Sequence, residues 1–252
     1  MRYRARVGCL VPIVLLVAAA VGFTVWANKS ITLRYRFTLV VDENGHTVRG
    51  SAVYDTRWAG IAEYFPSLSE LAGGRRCLPI YSGEATYVDL GAPGILFALM
   101  TYDPLRTRQG TALNPAGLLV APFGYSMIGA VTWDLLYRIR DTRGPIDVPL
   151  ERLPLLVRFR NLNDPATAER VDPFNLAASF GSGVKLLRAT IEMTNDPVTT
   201  GIEQKLPWLA LPQAAQDELI RVRRVQWGGP GAANNHDRSL FPRYFKAEAE
   251  DK

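Results

Sequence analysis

Hydrophobic and polar positions alternate most cleanly just after residue 30. Leu33, Tyr35, Phe37, Leu39 and Val41 interleave with Arg34, Arg36 and Thr38, the period-2 pattern of a half-buried strand. Asn44-Gly45 follows, the strongest two-residue hairpin signal, because a type I′ turn needs positive φ at both central positions. Thr47 to Thr56 supplies the returning strand. With the turn at Asn44-Gly45, Tyr35 faces Tyr54, Phe37 faces Ala52, Leu39 faces Gly50 and Val41 faces Val48. Arg34 then falls opposite Asp55 on the other face. Large residues meet small ones on one side and opposite charges meet on the other, which supports the register.

Further along, Thr86 to Leu90 and Ile95 to Met100 are β-rich and Gly91-Ala92-Pro93-Gly94 separates them, so a second hairpin is expected. Leu118 to Val120 reads as a short strand, and Ile128 to Ile139 as a helix with Ile128, Val131, Leu135 and Ile139 near helical spacing. Gly144 to Pro154 carries three prolines and should be extended or looped. Leu155 to Phe159 reads as a buried strand, Phe174 to Phe180 as a short helix stopped by Gly181, and Val184 to Met193 as another strand. A last helix runs from Gln213 to Trp227, and Gly228-Gly229-Pro230-Gly231 stops it. Strands come first, helices later, and regular βαβ alternation is missing. The expected class is α+β, an antiparallel β-rich soluble domain with short helices.

The first thirty residues follow a different rule. Arg2, Arg4 and Arg6 precede an uncharged run, and Val7 to Ala27 spans 21 residues. A helix of that length rises about 31 Å, enough for the ~30 Å hydrocarbon core of a bilayer. Val7, Leu10, Leu15, Leu16 and Val21 would face lipid, and Trp26 stands where an interfacial aromatic belongs. The rival is a cleaved signal peptide, whose apolar stretch runs only ~7–15 residues. The longer run favours one uncleaved N-terminal transmembrane helix. The flanking charges are nearly balanced, with Lys29, Arg34 and Arg36 beyond the run. They lean towards a cytoplasmic N-terminus and an exported domain. The division expected is 1–30 for stub and anchor, 31–230 for one exported domain, and 231–252 for a loop-like tail with a charged, solvated end.

Charge narrows the function. The chain of 252 residues carries a net +5, which suggests nucleic acid at first sight. Arg2, Arg4, Arg6 and Lys29 lie in the first thirty residues beside no acid; removing those four from 29 basic residues leaves 25 against 24 acidic ones, a net of +1. The excess needed to neutralise phosphates is absent from the domain, so nucleic acid is not an expected partner. Cys9 and Cys77 are the two cysteines, and Cys9 falls in the apolar run. The domain has no intramolecular disulfide to rely on and must be held by its core.

Three constellations invite chemistry. Gly124-Tyr125-Ser126-Met127-Ile128-Gly129 resembles the G-x-S-x-G nucleophile elbow with its second glycine one residue late. Ser126 with His236 is the pair a serine hydrolase would use, yet the parallel sheet of such enzymes is not visible. Asp164-Pro165, Asp172-Pro173 and Asp196-Pro197 offer Asp164, Asp172 and Asp196 as ligands of a divalent cation. The simpler role for Asp-Pro is capping: the carboxylate accepts a backbone N–H, and proline at the first helical position needs no donor. His46 stands in the first hairpin turn, far from His236, without zinc-type spacing.

A resemblance adds location. Leu155-Leu156-Val157-Arg158-Phe159, Asn163-Asp164-Pro165, Val171-Asp172-Pro173, Asn195-Asp196-Pro197-Val198-Thr199-Thr200-Gly201-Ile202-Glu203 and Leu206-Pro207-Trp208-Leu209, with the opening Tyr35-Arg36-Phe37-Thr38-Leu39 strand, resemble a group of proteobacterial membrane-anchored proteins with no established activity. The resemblance implies a bacterial inner membrane and carries over no catalytic residue. The expectation is a single-pass inner-membrane protein whose periplasmic domain binds or scaffolds, with the lipid bilayer and an envelope protein as partners and no cofactor. The alternatives are a cell-envelope serine hydrolase and a divalent-cation-binding module.

Overall fold

A computed structural model describes residues 12, 14–19, 22, 30–59, 79–101, 114–124, 131–223 and 242–247. The chain divides into two compact units, residues 1–32 with 57–79 and residues 33–56 with 80–252. In the first unit, residues 14–19 are helical. Val14, Leu15, Leu16 and Val17 are 56–71% exposed. No helix among the described residues is long and apolar enough to cross a membrane. Most of the apolar run, with Val7, Leu10, Val21 and Trp26, lies outside the described residues.

The second unit is antiparallel and β-rich. Strands β1 (Ser30–Glu43) and β2 (His46–Ala59) form the opening hairpin; their outer ends belong to the first unit. Asn44 and Gly45 have φ of 53° and 87°, the doubly left-handed pair of a type I′ turn. Three contacts carry the expected register. Arg34 donates to both carboxylate oxygens of Asp55 at 2.6 and 2.8 Å. The Tyr35 and Tyr54 rings lie 5.5 Å apart, and the Thr56 hydroxyl donates to the Leu33 carbonyl. Leu33, Tyr35, Phe37, Leu39 and Val41 are all buried.

The remaining strands are β3 (Ile80–Glu84), β4 (Thr86–Asp89), β5 (Ile95–Ala98), β6 (Ile146–Asp147), β7 (Leu156–Phe159), β8 (Ala168–Val171), β9 (Val184–Met193) and β10 (Lys246–Ala247). They make two sheets, one of six strands in the order β10-β3-β2-β1-β9-β6 and one of four in the order β4-β5-β7-β8. The β1–β9 ladder shifts register between Val40 and Val41 and leaves Leu187 as the extra residue of a bulge. The second expected hairpin is present, with Thr86 opposite Ala98 and Asp89 opposite Ile95. Ile95 to Met100 are buried throughout, with β5 flanked by β4 and β7; a strand buried on both its faces reads as a continuous apolar run instead of an alternating one. Gly50 of β2 sits directly against β4: a Cβ there would fall 1.7 Å from the Tyr87 carbonyl oxygen.

Helices α1 (Pro115–Val120), α2 (Trp133–Asp141), α3 (Ala177–Phe180) and α4 (Gln213–Arg223) are short. The strand expected at Leu118 to Val120 is instead part of α1. Asn114 caps it, its side chain accepting from the Gly117 N–H at 2.9 Å, and Pro115 occupies the first turn. All six residues of α1 are buried, and a short apolar run buried all round has no period by which helix and strand differ. Within the expected tail, the described residues 242–247 are structured. Pro242 to Tyr244 form a turn and β10 pairs with β3. Phe245 between them is fully buried, so its aromatic surface outweighs the charged letters around it.

Candidate functional site

A heavily anchored irregular segment among the described residues is the strap from Thr194 to Leu211. It contains only two short 3₁₀ turns, Ile202–Gln204 and Pro207–Ala210. A buried or crossing loop must place its backbone polar groups on partners, and this one does so strand by strand. The Thr194 N–H donates to the Arg34 carbonyl of β1. Asp196 pairs with Arg36, and Arg34 donates to the Asp196 carbonyl. Thr199 then exchanges bonds with Val53 of β2: its N–H donates to the Val53 carbonyl at 3.2 Å, and its hydroxyl accepts from the Val53 N–H at 2.8 Å. The Ile202 N–H donates to Glu84 of β3 at 2.7 Å. Glu203 accepts from Lys246 of β10 at 2.7 Å. The strap thus meets β1, β2, β3 and β10 in the order in which those strands lie side by side in the sheet.

Beyond that crossing the strap turns apolar. Lys205 donates to Asp89 at the end of β4 at 2.9 Å. Ile202, Leu206, Trp208 and Leu209 then join Ile95, Phe97, Leu99, Leu155, Val157, Phe159 and Phe245 in one buried cluster. Trp208 meets Phe245 edge-on at 5.3 Å, and Phe97 meets Phe159 edge-on at 5.6 Å. The Gln216 amide of α4 donates to the Leu209 and Leu211 carbonyls and closes the end of the strap.

Glu84 is the chemically unusual group here. It is 2% exposed. One carboxylate oxygen accepts from Ile202; the other, Oε1, has no hydrogen-bond partner, and neither has the buried Trp208 indole N–H. Each such orphan costs about 1–3 kcal/mol. Burial raises the Glu84 carboxyl above the usual carboxylate range, and neighbouring Glu203 adds to the rise. The Ile202 and Gly201 N–H groups and the Lys246 ammonium oppose it. Elsewhere the shifts report pairing. The hydrogen bond from Lys205 lowers Asp89, and the one from Lys246 lowers Glu203. Burial pushes the Tyr54 phenol up to about 12 and the Tyr35 phenol well above its ordinary value. Tyr35 donates to the Pro115 carbonyl at 2.6 Å and Tyr54 shares a bond with the Thr86 hydroxyl at 3.0 Å, so both are built into the packing.

Of the residues singled out by the sequence, Asp164, Asp172 and Asp196 each hold a partner of their own. Ser126 and His236 lie outside the described residues. Asp164 accepts from the Ala166 N–H ahead of Pro165, the capping arrangement at the start of a 3₁₀ turn. Asp172 accepts from the Phe174 N–H in the same way. Asp196 turns to Arg36. Among the described residues no group of three or more His, Cys, Asp or Glu side chains is placed to hold a metal ion. An open depression of about 590 Å³ runs along α2, lined by Phe123, Asp134, Tyr137, Arg138, Asp141 and Thr142.

Glu84 carries no strong signal in the sequence, because β3 shows no period and its partner Ile202 is 118 residues downstream. One local sign is present. Gly83 has φ of 138°, and a Cβ there would come 2.6 Å from the Tyr54 ring; an isolated glycine in a strand marks such close approach.

No protein-family model, no curated protein and no solved structure matches the chain.

Proposed function

We propose that this chain is a single-pass membrane protein of the bacterial envelope whose β-rich domain, on the periplasmic side of the inner membrane, binds or scaffolds a partner. One observation carries the reading. Four consecutive large apolar side chains, Val14 to Val17, stand 56–71% exposed on a helical segment, and an apolar surface of that kind marks contact with lipid or protein. They lie in the middle of a 21-residue run without an acidic or basic residue, which is bilayer length. The resemblance of the strap sequence and the opening strand to membrane-anchored proteobacterial proteins supports the same location. A near-neutral domain whose polar anchors are spent on holding its own strap supports a binding role over catalysis.

Topology reporters test the proposal. Full-length chain carrying C-terminal alkaline phosphatase in a Gram-negative host should be active, and the same chain carrying green fluorescent protein should be dark. Both should stay in the membrane pellet after an alkaline carbonate wash. An inactive phosphatase with a bright fluorescent counterpart overturns the orientation, and recovery in the wash overturns the tether.

A further inference from the structure

We infer that Glu84 is a proton-binding latch for the strap: the neutral carboxyl holds residues 199–209 closed, and ionisation loosens them. The inference stands apart from the membrane reading and uses only the β-rich unit.

The geometry supplies the coupling. Glu84 closes β3, and the strap covers it by placing the Ile202 N–H on Oε2 at 2.7 Å. Glu84 is 2% exposed in this arrangement, and Oε1 has no hydrogen-bond partner. A neutral carboxyl tolerates that position far better than a charged one, since burying an ion without full pairing is the larger penalty. Three charged or titratable groups among the described residues act on Glu84 or face it. Tyr54 from β2 stays neutral, its phenol held at about 12. Glu203 from the strap itself repels a second negative charge. Lys246 from β10 attracts it, yet its ammonium is bonded to Glu203 at 2.7 Å. That cation is therefore shared between two carboxyls.

Lifting the strap hydrates Glu84 and returns its carboxyl to the ordinary range. Closure raises proton affinity, so by linkage a proton favours closure. Protonation supports the closed strap fully below the ordinary carboxylate range, and that support is lost as pH rises through the raised value of the closed state. Release loosens the backbone over the cluster of Phe97, Phe159 and Phe245, which Ile202, Leu206 and Trp208 cover.

Hydrogen–deuterium exchange on the full-length protein in neutral-detergent micelles reads this directly. The quantity is the protection of amides 199–209, corrected for the chemical exchange rate and divided by that of amides 35–41 in β1. In the wild type this ratio should fall severalfold as pH rises from about 4, the ordinary Glu value, to about 8. In Glu84→Gln, which keeps the acceptor for Ile202 but has no proton to lose, the ratio should stay flat. A wild-type ratio that does not change, or one that falls equally in Glu84→Gln, overturns the latch. Lys246→Met keeps the proposal exposed even where Glu84→Gln fails to fold. Removing the attracting charge must move the midpoint of the fall to higher pH, and a midpoint that stays or drops rejects the assignment.

Discussion

Replacing Gly50 by alanine tests the packing of β2 against β4. A Cβ at position 50 would lie 1.7 Å from the Tyr87 carbonyl oxygen, 2.6 Å from its carbonyl carbon and 3.0 Å from the Val88 Cα. Ordinary contacts lie near 3.5 Å, so β4 must retreat by about 1.5 Å or more. No side-chain rotation relieves the clash, because all three atoms are backbone. Nor is β4 free to withdraw, since Tyr87 is paired with Phe97 of β5 and Val88 is fully buried. Overpacking costs ~1–3 kcal/mol, and a backbone partner places Gly50→Ala at the upper end. At roughly 2–4 °C per kcal/mol for a domain of this size, Tm should fall by about 6–12 °C. Gly45→Ala is the matched control. Position 45 has φ of 87°, and a Cβ there would meet nothing within 4 Å, so it bears only the left-handed penalty of about 1–2 kcal/mol. Both substitutions stiffen the unfolded chain equally, so that contribution cancels in the comparison. Thermal melts of the full-length variants followed by far-ultraviolet circular dichroism decide the matter. A Gly50→Ala protein that melts with the wild type, or above Gly45→Ala, would show that the two strands do not touch as described.

Two further outcomes follow from the same structure. Tyr35→Phe removes the 2.6 Å bond to the Pro115 carbonyl, so urea unfolding should show a loss of about 0.5–1.5 kcal/mol with an unchanged m-value. Lys205→Met removes the bond that lowers Asp89. A lowered carboxyl stabilises above the usual Asp range and stops doing so as pH falls through its folded value. The stability gap between wild type and Lys205→Met, under about 1 kcal/mol for so exposed a pair, should be present near neutrality, vanish towards about pH 2, and shrink in high salt.

The parts of the fold legible in the sequence are those fixed by neighbours along the chain. The alternation from Leu33 to Val41 and the Asn44-Gly45 turn act within fourteen residues of one another, and β1, β2 and their register emerge from them. The same holds for the Gly91 to Gly94 turn and for β9, whose bounds match the strand expected from Val184 to Met193. The illegible parts depend on partners far away. Strands β3, β8 and β10 have five, four and two residues, too few for any period to show. Each exists because a neighbouring strand completes its hydrogen bonds. The helix at Pro115–Val120 resembles a strand for a related reason: six buried residues carry no polar face.

The strap shows why the candidate site is the hardest part to see. Its letters, Asn195-Asp196-Pro197 and Thr199-Thr200-Gly201, are turn and capping letters, and at Asp164 the same Asp-Pro pair does act locally as a cap. At Asp196 it does not; the carboxylate crosses to Arg36, 160 residues away. The dipeptide is the same in both places, and the route of the chain beyond it separates them. After Asp164 the chain turns back into β8 within four residues. After Asp196 it runs from β1 towards β10, and Ile202, Leu206, Trp208 and Leu209 along this path reach the aromatic cluster. The exposed anchors along that path contribute little each. Burial of the four apolar side chains supplies adhesion, at about 1.5–3 kcal/mol for a fully buried aliphatic side chain. The polar anchors fix the line along which the strap lies. Glu84 is the one of these anchors that is both deeply buried and incompletely bonded, so it is the anchor whose charge state changes how tightly that line is held.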